Sequence, residues 1–101
     1  MFYNIIKYAI ERKHSLSGKY EYYIRHFSPH ALGDDREGRK CVLGFQYAGG
    51  RPGRLPPAGE WCFFLVDGLM DLQPNDDLWL AGPMDAQPLR YLSVIDVQVP
   101  G

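Results

Sequence analysis

Apolar positions three and four apart open the chain. Phe2, Ile5, Ile6, Ala9 and Ile10 fall on one face, which predicts a helix over residues 2 to 13. Lys7, Glu11, Arg12 and Lys13 occupy the remaining positions, with Arg12 and Lys13 at the C-terminal end, where the helix dipole favours cations. After His14-Ser15 the period changes to two. Leu16, Gly18 and Tyr20 share one face of a strand over Leu16 to Tyr20, and the glycine in mid-strand marks a bulge or a close approach. Tyr23 to Pro29 reads as the next strand, ending at the proline because proline cannot donate to a ladder. Gly33, Asp34, Asp35 and Gly38 mark a turn over Leu32 to Gly38. Lys40 to Tyr47 is a third strand. Glu60 to Asp67 is a fourth, with Trp61, Phe63 and Leu65 alternating against Cys62, Phe64 and Val66. Leu69 to Leu72 and Leu78 to Leu80 are short elements around a break at Gln73 to Asp77. Beyond Gly82-Pro83, Tyr91 to Val99 is a strand with Tyr91, Ile95, Val97 and Val99 on one face.

One helix followed by short strands predicts a mainly β fold. The expected form is a small, strongly bent β-barrel over residues 1 to 80, capped by the N-terminal helix, with residues 81 to 101 as an extension carrying an extra strand. Ile6, Ile10, Leu43, Phe64, Val66 and Leu69 are the expected core. The extra strand must pair with something, because bare backbone groups are costly. It lines the edge of its own barrel or crosses to a second copy, and strand exchange favours a homodimer through Tyr91 to Val99.

Length and composition narrow the class. A chain of 101 residues is one domain, able to bury roughly two-thirds of its unfolded surface. Its 46% hydrophobic and 23% charged residues are those of an ordinary globular protein. No apolar run approaches the ~18 residues of a membrane span, and no basic segment followed by a long apolar core marks a leader. Cys41 and Cys62 form neither a disulfide framework nor a C-x-x-C pair, which fits a reducing cytoplasm. Residues 1 to 54 hold ten of the eleven Lys and Arg and five of the twelve acids, a formal +5, and the remainder carries a formal −6. The basic half points mildly to an anionic partner, unless the two halves simply fold against each other.

The candidate chemistry sits where strands end. Arg25 offers a planar fork to phosphate or carboxylate; its alternative is an ion pair with Glu21 or Asp34. His30, at a strand-to-turn junction, donates to an anion or else fixes the Asp34-Asp35 turn. Gln46 can reach a base edge or a sugar. Arg51 and Arg54, in the long Gly/Pro loop from Ala48 to Gly59, form a flexible basic rim able to follow phosphates. Tyr22 and Tyr23 are the aromatics expected to be exposed. Catalysis and metal binding are not expected. His26 and His30 stand about 13 Å apart on an extended strand, too far for one zinc, and no Gly-rich phosphate loop opens a helix. Cys41 and Cys62 lie among apolar neighbours, which keeps a thiol unreactive.

The chain order supplies one more reading. A helix ending Ala9-Ile10-Glu11-Arg12-Lys13 precedes a strand with Tyr20, then Arg25-x-x-Ser28-Pro29-His30-x-Leu32-Gly33. A Gly38-led strand with Gln46 comes next, then an aromatic strand ending Phe64-Leu65-Val66-Asp67, and then Leu69. Over roughly residues 3 to 79 this order resembles the WYL domain family, in particular small stand-alone bacterial members with a Pro-His-x-Leu-Gly step. Cys41-Val42-Leu43 stands in place of the Trp-Tyr-Leu run, and Leu65 and Gly68 stand where the family often has arginines. The resemblance implies an SH3-like (Sm-like) five-stranded barrel serving in a bacterial regulator or defence system. It implies a non-enzymatic module that binds a nucleotide or nucleic acid without a cofactor. The alternative class is a protein-interaction module that homo-oligomerises or docks on a larger regulator through an exposed strand edge.

Overall fold

The computed structural model describes residues 2–100. Ile6, Ala9 and Ile10 are the positions of helix α1 (Tyr3–Arg12) that leave solvent. The helix forms because this stripe has a sheet to lie on, since its N-cap residue Phe2 makes no side-chain capping bond. It stops at Lys13, whose left-handed backbone (φ 54°) lets the His14 N–H reach Ala9 O at 2.9 Å.

Five strands follow: β1 (Leu16–Tyr20), β2 (Tyr23–Asp34), β3 (Lys40–Gly49), β4 (Glu60–Leu65) and β5 (Met70–Pro74). A sixth, β6 (Val94–Gln98), comes after a long irregular segment. All pairings are antiparallel, in the order β4-β3-β2-β1-β5, with β6 added to β2. The β1–β2 hairpin turns on Glu21 (φ 48°) and Tyr22 (φ 73°), the two positive-φ positions that a two-residue hairpin requires. Tyr22 is 92% exposed there and Tyr23 is 38% exposed.

Two expectations need correction. First, β2 does not end at Pro29 but runs on to Asp34. One edge of β2 is shared: β1 pairs with Tyr23 to Phe27 and β6 with Ala31 to Asp34. Pro29 stands between the two, where neither neighbour calls for its missing donor. Second, the sheet does not close into a barrel, because β4 and β5 remain its two ends. A side chain occupies the seam instead. The Tyr20 hydroxyl accepts the Leu65 N–H at 3.1 Å, and the Tyr20 ring packs edge-on against Phe64 at 4.9 Å.

The centre of the sheet, β2 and β3, is buried on both faces. Ile6 and Ile10 of α1 pack with Leu16, Phe27, Phe64 and Leu69, with Val66 alongside. On the other face Ala31, Cys41, Leu43 and Leu92 form a second cluster with Trp61 and Phe63. All six expected core residues are buried, Leu43 on the face away from the helix. Residues 75 to 93 strap this second face and contain no strand, Leu78 to Leu80, expected as a short element, being irregular. Short polar bonds hold the strap: Leu80 N–H to Ser28 Oγ at 2.8 Å, Trp79 Nε1 to Pro29 O at 3.1 Å and Trp61 Nε1 to Pro83 O at 3.1 Å. Among the described residues no helix is long and apolar enough to cross a membrane.

The extra strand pairs within its own chain. Lys40 Nζ lies 2.7 Å from Asp34 Oδ1 and 2.6 Å from Asp96 Oδ2, and the Tyr3 hydroxyl donates to the same Asp96 oxygen at 3.1 Å. β6 is thereby tied to β2, β3 and α1. The Lys40 ammonium, helped by Tyr3, holds the Asp96 carboxyl below its ordinary range. A depressed carboxyl contributes stability that is complete above its unfolded pKa and is lost as pH falls through the folded value. Acidification from about pH 5 to pH 2 should therefore release the β6 amides to hydrogen exchange. In Asp96→Asn that acid-dependent loss should be smaller. An equal loss in both proteins would remove Asp96 as the cause.

Candidate binding surfaces

The expected site residues divide between the two faces of the sheet. Arg25 and Gln46 meet on the helix-side face. Arg25 is only 4% exposed. Its Nε donates to Tyr20 O at 3.3 Å and its Nη1 to Gln46 Oε1 at 3.2 Å. The guanidinium carbon stands 5.4 to 5.7 Å from the ring centres of Phe64, Tyr20 and Tyr23, within cation–π range. Among the described residues no carboxylate lies within ion-pair distance of it, so neither Glu21 nor Asp34 is its partner. A guanidinium has five N–H donors, and two here have protein acceptors.

Gln46 is fully buried and anchors the long loop, its Nε2 donating to Ala48 O at 3.1 Å and Gly50 O at 2.9 Å. The Cys62 thiol lies 3.7 Å from Gln46 Oε1. Burial, with the Glu60 carboxylate adding to it, pushes this thiol up to about 11 against the pull of Arg25 and Arg51. It stays protonated at neutral pH. Arg51 is pinned, with Nε 2.6 Å from Glu60 Oε2 and Nη1 donating to Arg54 O at 2.8 Å. Arg54 is exposed.

His30 lies on the other face, fully buried under the strap. It is the unpaired residue where the β2–β3 register shifts between Pro29 and Ala31, and such bulges re-aim a side chain. Its ring stands 4.4 Å from the Trp79 ring and 4.7 Å from Trp61. Nδ1 is 2.8 Å from Ser28 O and Nε2 is 2.9 Å from Ala81 O. Burial lowers the His30 pKa, although both carbonyls oppose it. A neutral imidazole has one N–H, so it donates to one of these carbonyls and presents a lone pair to the other. His30 takes no part in the Asp34-Asp35 turn. Asp35 fixes that turn itself, accepting the Glu37 and Arg39 N–H groups at 3.0 and 2.9 Å.

An apolar cleft lies elsewhere. A cleft of about 290 Å³ is lined by Asp35, Arg39, Cys41, Phe63, Leu65 and Tyr91. Its floor is apolar, and the Asp35–Arg39 ion pair (2.8 Å) stands on its wall. A second, polar cleft of about 390 Å³ lies between the end of α1 and the residues after β5, lined by Lys13, His14 and Pro74 to Asp77. Neither cleft contains Arg25, His30, Gln46, Arg51 or Arg54.

The apolar cleft adjoins the free edge of β4. That strand pairs only with β3, in unbroken register from Cys41 opposite Leu65 to Gln46 opposite Glu60. The Leu65 N–H reaches Tyr20 rather than β3. By antiparallel alternation the N–H and C=O groups of Phe63 and Trp61 point outward along the same edge. The run from Trp61 to Val66 has no charge, and such runs are typical of strands covered on both sides. Here it forms an edge. The opposite edge is blunted: β5 contains Pro74 and a left-handed Asp71 (φ 53°). The apolar run was visible in the sequence, but its edge position was not. No protein-family model, no curated protein and no solved structure matches the chain.

Proposed function

We propose that this chain is a non-catalytic, SH3-like interaction module that accepts an extended strand along β4. The observation that carries it is a charge-free central-strand sequence on a terminal strand, covered by Tyr20 at Leu65 but unpaired at Trp61 and Phe63, beside a cleft suited to an apolar side chain. Strand addition supplies backbone hydrogen bonds, and the cleft selects alternate side chains of the bound segment. The SH3-like and WYL-like assignment draws support from the order β5-β1-β2-β3-β4, the single 3-10 turn at Val66–Gly68 between β4 and β5, and the helix over the sheet.

Selection of extended octapeptides from a displayed random library tests this reading. Selected peptides should carry alternating apolar residues and protect the Trp61 and Phe63 amides from exchange. If they protect other amides instead, or if none is selected, β4 is not the acceptor.

A second reading keeps the nucleotide or nucleic-acid ligand. Its specific support is Arg25, a guanidinium that among the described residues has three N–H donors free of protein acceptors and no carboxylate within ion-pair distance. Inorganic phosphate should then raise the melting temperature at constant ionic strength, and Arg25→Lys should diminish that rise.

A further inference from the structure

We infer that residues 75 to 93 are an acid-released strap, latched over the second face of the sheet by His30. The inference stands apart from the strand-acceptor reading and needs no ligand. Both ends of the strap are pinned by backbone bonds, Asn75 N–H to Ser15 O at 3.0 Å and Ser93 N–H to Asp34 O at 2.8 Å. Between the pins the backbone forms two short 3-10 turns, Met84–Ala86 and Leu89–Tyr91, and no strand. Little apolar burial holds the segment down. Among its described residues Leu92 is the one that is buried, while Leu78, Leu80, Met84 and Tyr91 are exposed. A segment with few buried apolar contacts opens at the low end of a protein's stability range.

What closes the middle is polar and concentrated. Three consecutive residues of the strap meet three consecutive residues of β2. The Trp79 indole N–H donates to Pro29 O, the Leu80 N–H donates to Ser28 Oγ, and Ala81 O lies 2.9 Å from His30 Nε2. Ser28, Pro29 and His30 are fully buried beneath them. The His30 ring also packs against both Trp79 of the strap and Trp61 of β4, and the Trp61 indole reaches the strap again at Pro83 O. His30 is the member of this contact that can take up a proton.

The sign of the response follows from what surrounds the ring. Trp79, Ala81 and Pro83 from the strap, Trp61 from β4 and Ser28 from β2 are uncharged. Lys13, at the end of α1, acts on the ring as a like charge, its ammonium standing 5.4 Å from the centre of the Trp79 ring. Among the described residues no carboxylate lies within ion-pair distance of His30. Burial therefore disfavours the imidazolium, and the carbonyls of Ser28 and Ala81 offset this in part. With the strap open the ring meets water and takes its proton at the ordinary value of about 6.5. The closed form binds that proton less readily than the open one. Its stability is complete above about pH 6.5 and is lost as pH falls towards the closed-state value. One proton taken up on opening multiplies the open population by up to about ten for each pH unit.

Hydrogen exchange at two sites reads the latch. As pH falls from about 7.5 to about 5, the protection factors of the Leu80 amide and the Trp79 indole N–H should drop by up to about tenfold per unit. Amides of the β2–β3 ladder should keep theirs. His30→Gln, which retains a donor and cannot titrate, should show no such drop. The wild-type His30 ring, followed by its own proton resonances, should titrate below about pH 6.5. Strap protection that holds steady or rises in acid, a loss shared by the β2–β3 ladder, or an equal drop in His30→Gln overturns the inference. If His30→Gln does not reach the native fold, the wild-type ring decides: titration at or above about pH 6.5 overturns it.

Discussion

Gly33→Ala should strip β6 from the sheet. A Cβ at this position would run into the Val94 carbonyl oxygen and stand 2.9 Å from its carbon and 3.1 Å from Ile95 Cα, all backbone atoms of β6 or its first residue. No side-chain rotation relieves such a clash. Overpacking a tight site costs about 1–3 kcal/mol, and releasing the one strand on that side is a smaller disturbance than moving β2, which β3 holds along its other edge. The expected result is loss of amide protection from Val94 to Gln98, with the α1 and β1 to β5 amides still protected. Exchange read residue by residue checks it. Protection kept across β6 would mean that Gly33 is not its seat.

Arg25→Ala should destabilise the fold by about 2–4 kcal/mol, since each buried acceptor left without a donor costs roughly 1–3 kcal/mol. Gln46 Oε1 and Tyr20 O both lose the Arg25 donor, Gln46 Oε1 keeping only the weak Cys62 thiol at 3.7 Å. The guanidinium plane among Tyr20, Tyr23 and Phe64 is also lost. Gln46, deprived of its anchor, holds Ala48 and Gly50 less firmly, so the loop after β3 loosens as well. Urea unfolding of the wild type, Arg25→Ala and Arg25→Met separates these effects, because Met restores packing and not the hydrogen bonds. A change below about 0.5 kcal/mol in both variants, the scale of an ordinary surface substitution, would show Arg25 to be free for a ligand and not a pillar of the fold.

How far the sequence could be read follows from how local each signal was. Helix α1 was legible because Ile6, Ala9 and Ile10 repeat within two turns, and β1, β3 and β4 because alternation and turn residues lie within each segment. Pro29 misled because its cost depends on neighbours far away in the chain: β1 leaves the edge before it and β6 joins after it. The barrel expected from the run of short strands does not close: β4 and β5 do not pair, and the Tyr20 hydroxyl serves the Leu65 N–H in the seam. The strap was illegible because Trp79, Leu80 and Ala81 are held by Ser28, Pro29 and His30, contacts without periodicity. Of the expected site, Arg25 and Gln46 do meet, but polarity alone did not reveal that both are buried. His30, expected as a third ligand residue, lies on the opposite face under the strap.

The divided edge of β2 also orders events in time. Tyr23 to Phe27 meet β1 across a two-residue turn, and such hairpins form in microseconds. Asp34 must wait for Val94, about sixty residues later in the chain. During vectorial synthesis, at about 5–20 residues per second, that interval lasts several seconds. Throughout it, Ala31 to Asp34 present unpaired backbone beside a nearly complete body. A nascent chain is therefore most open to mispairing at β2, an edge that the finished protein conceals.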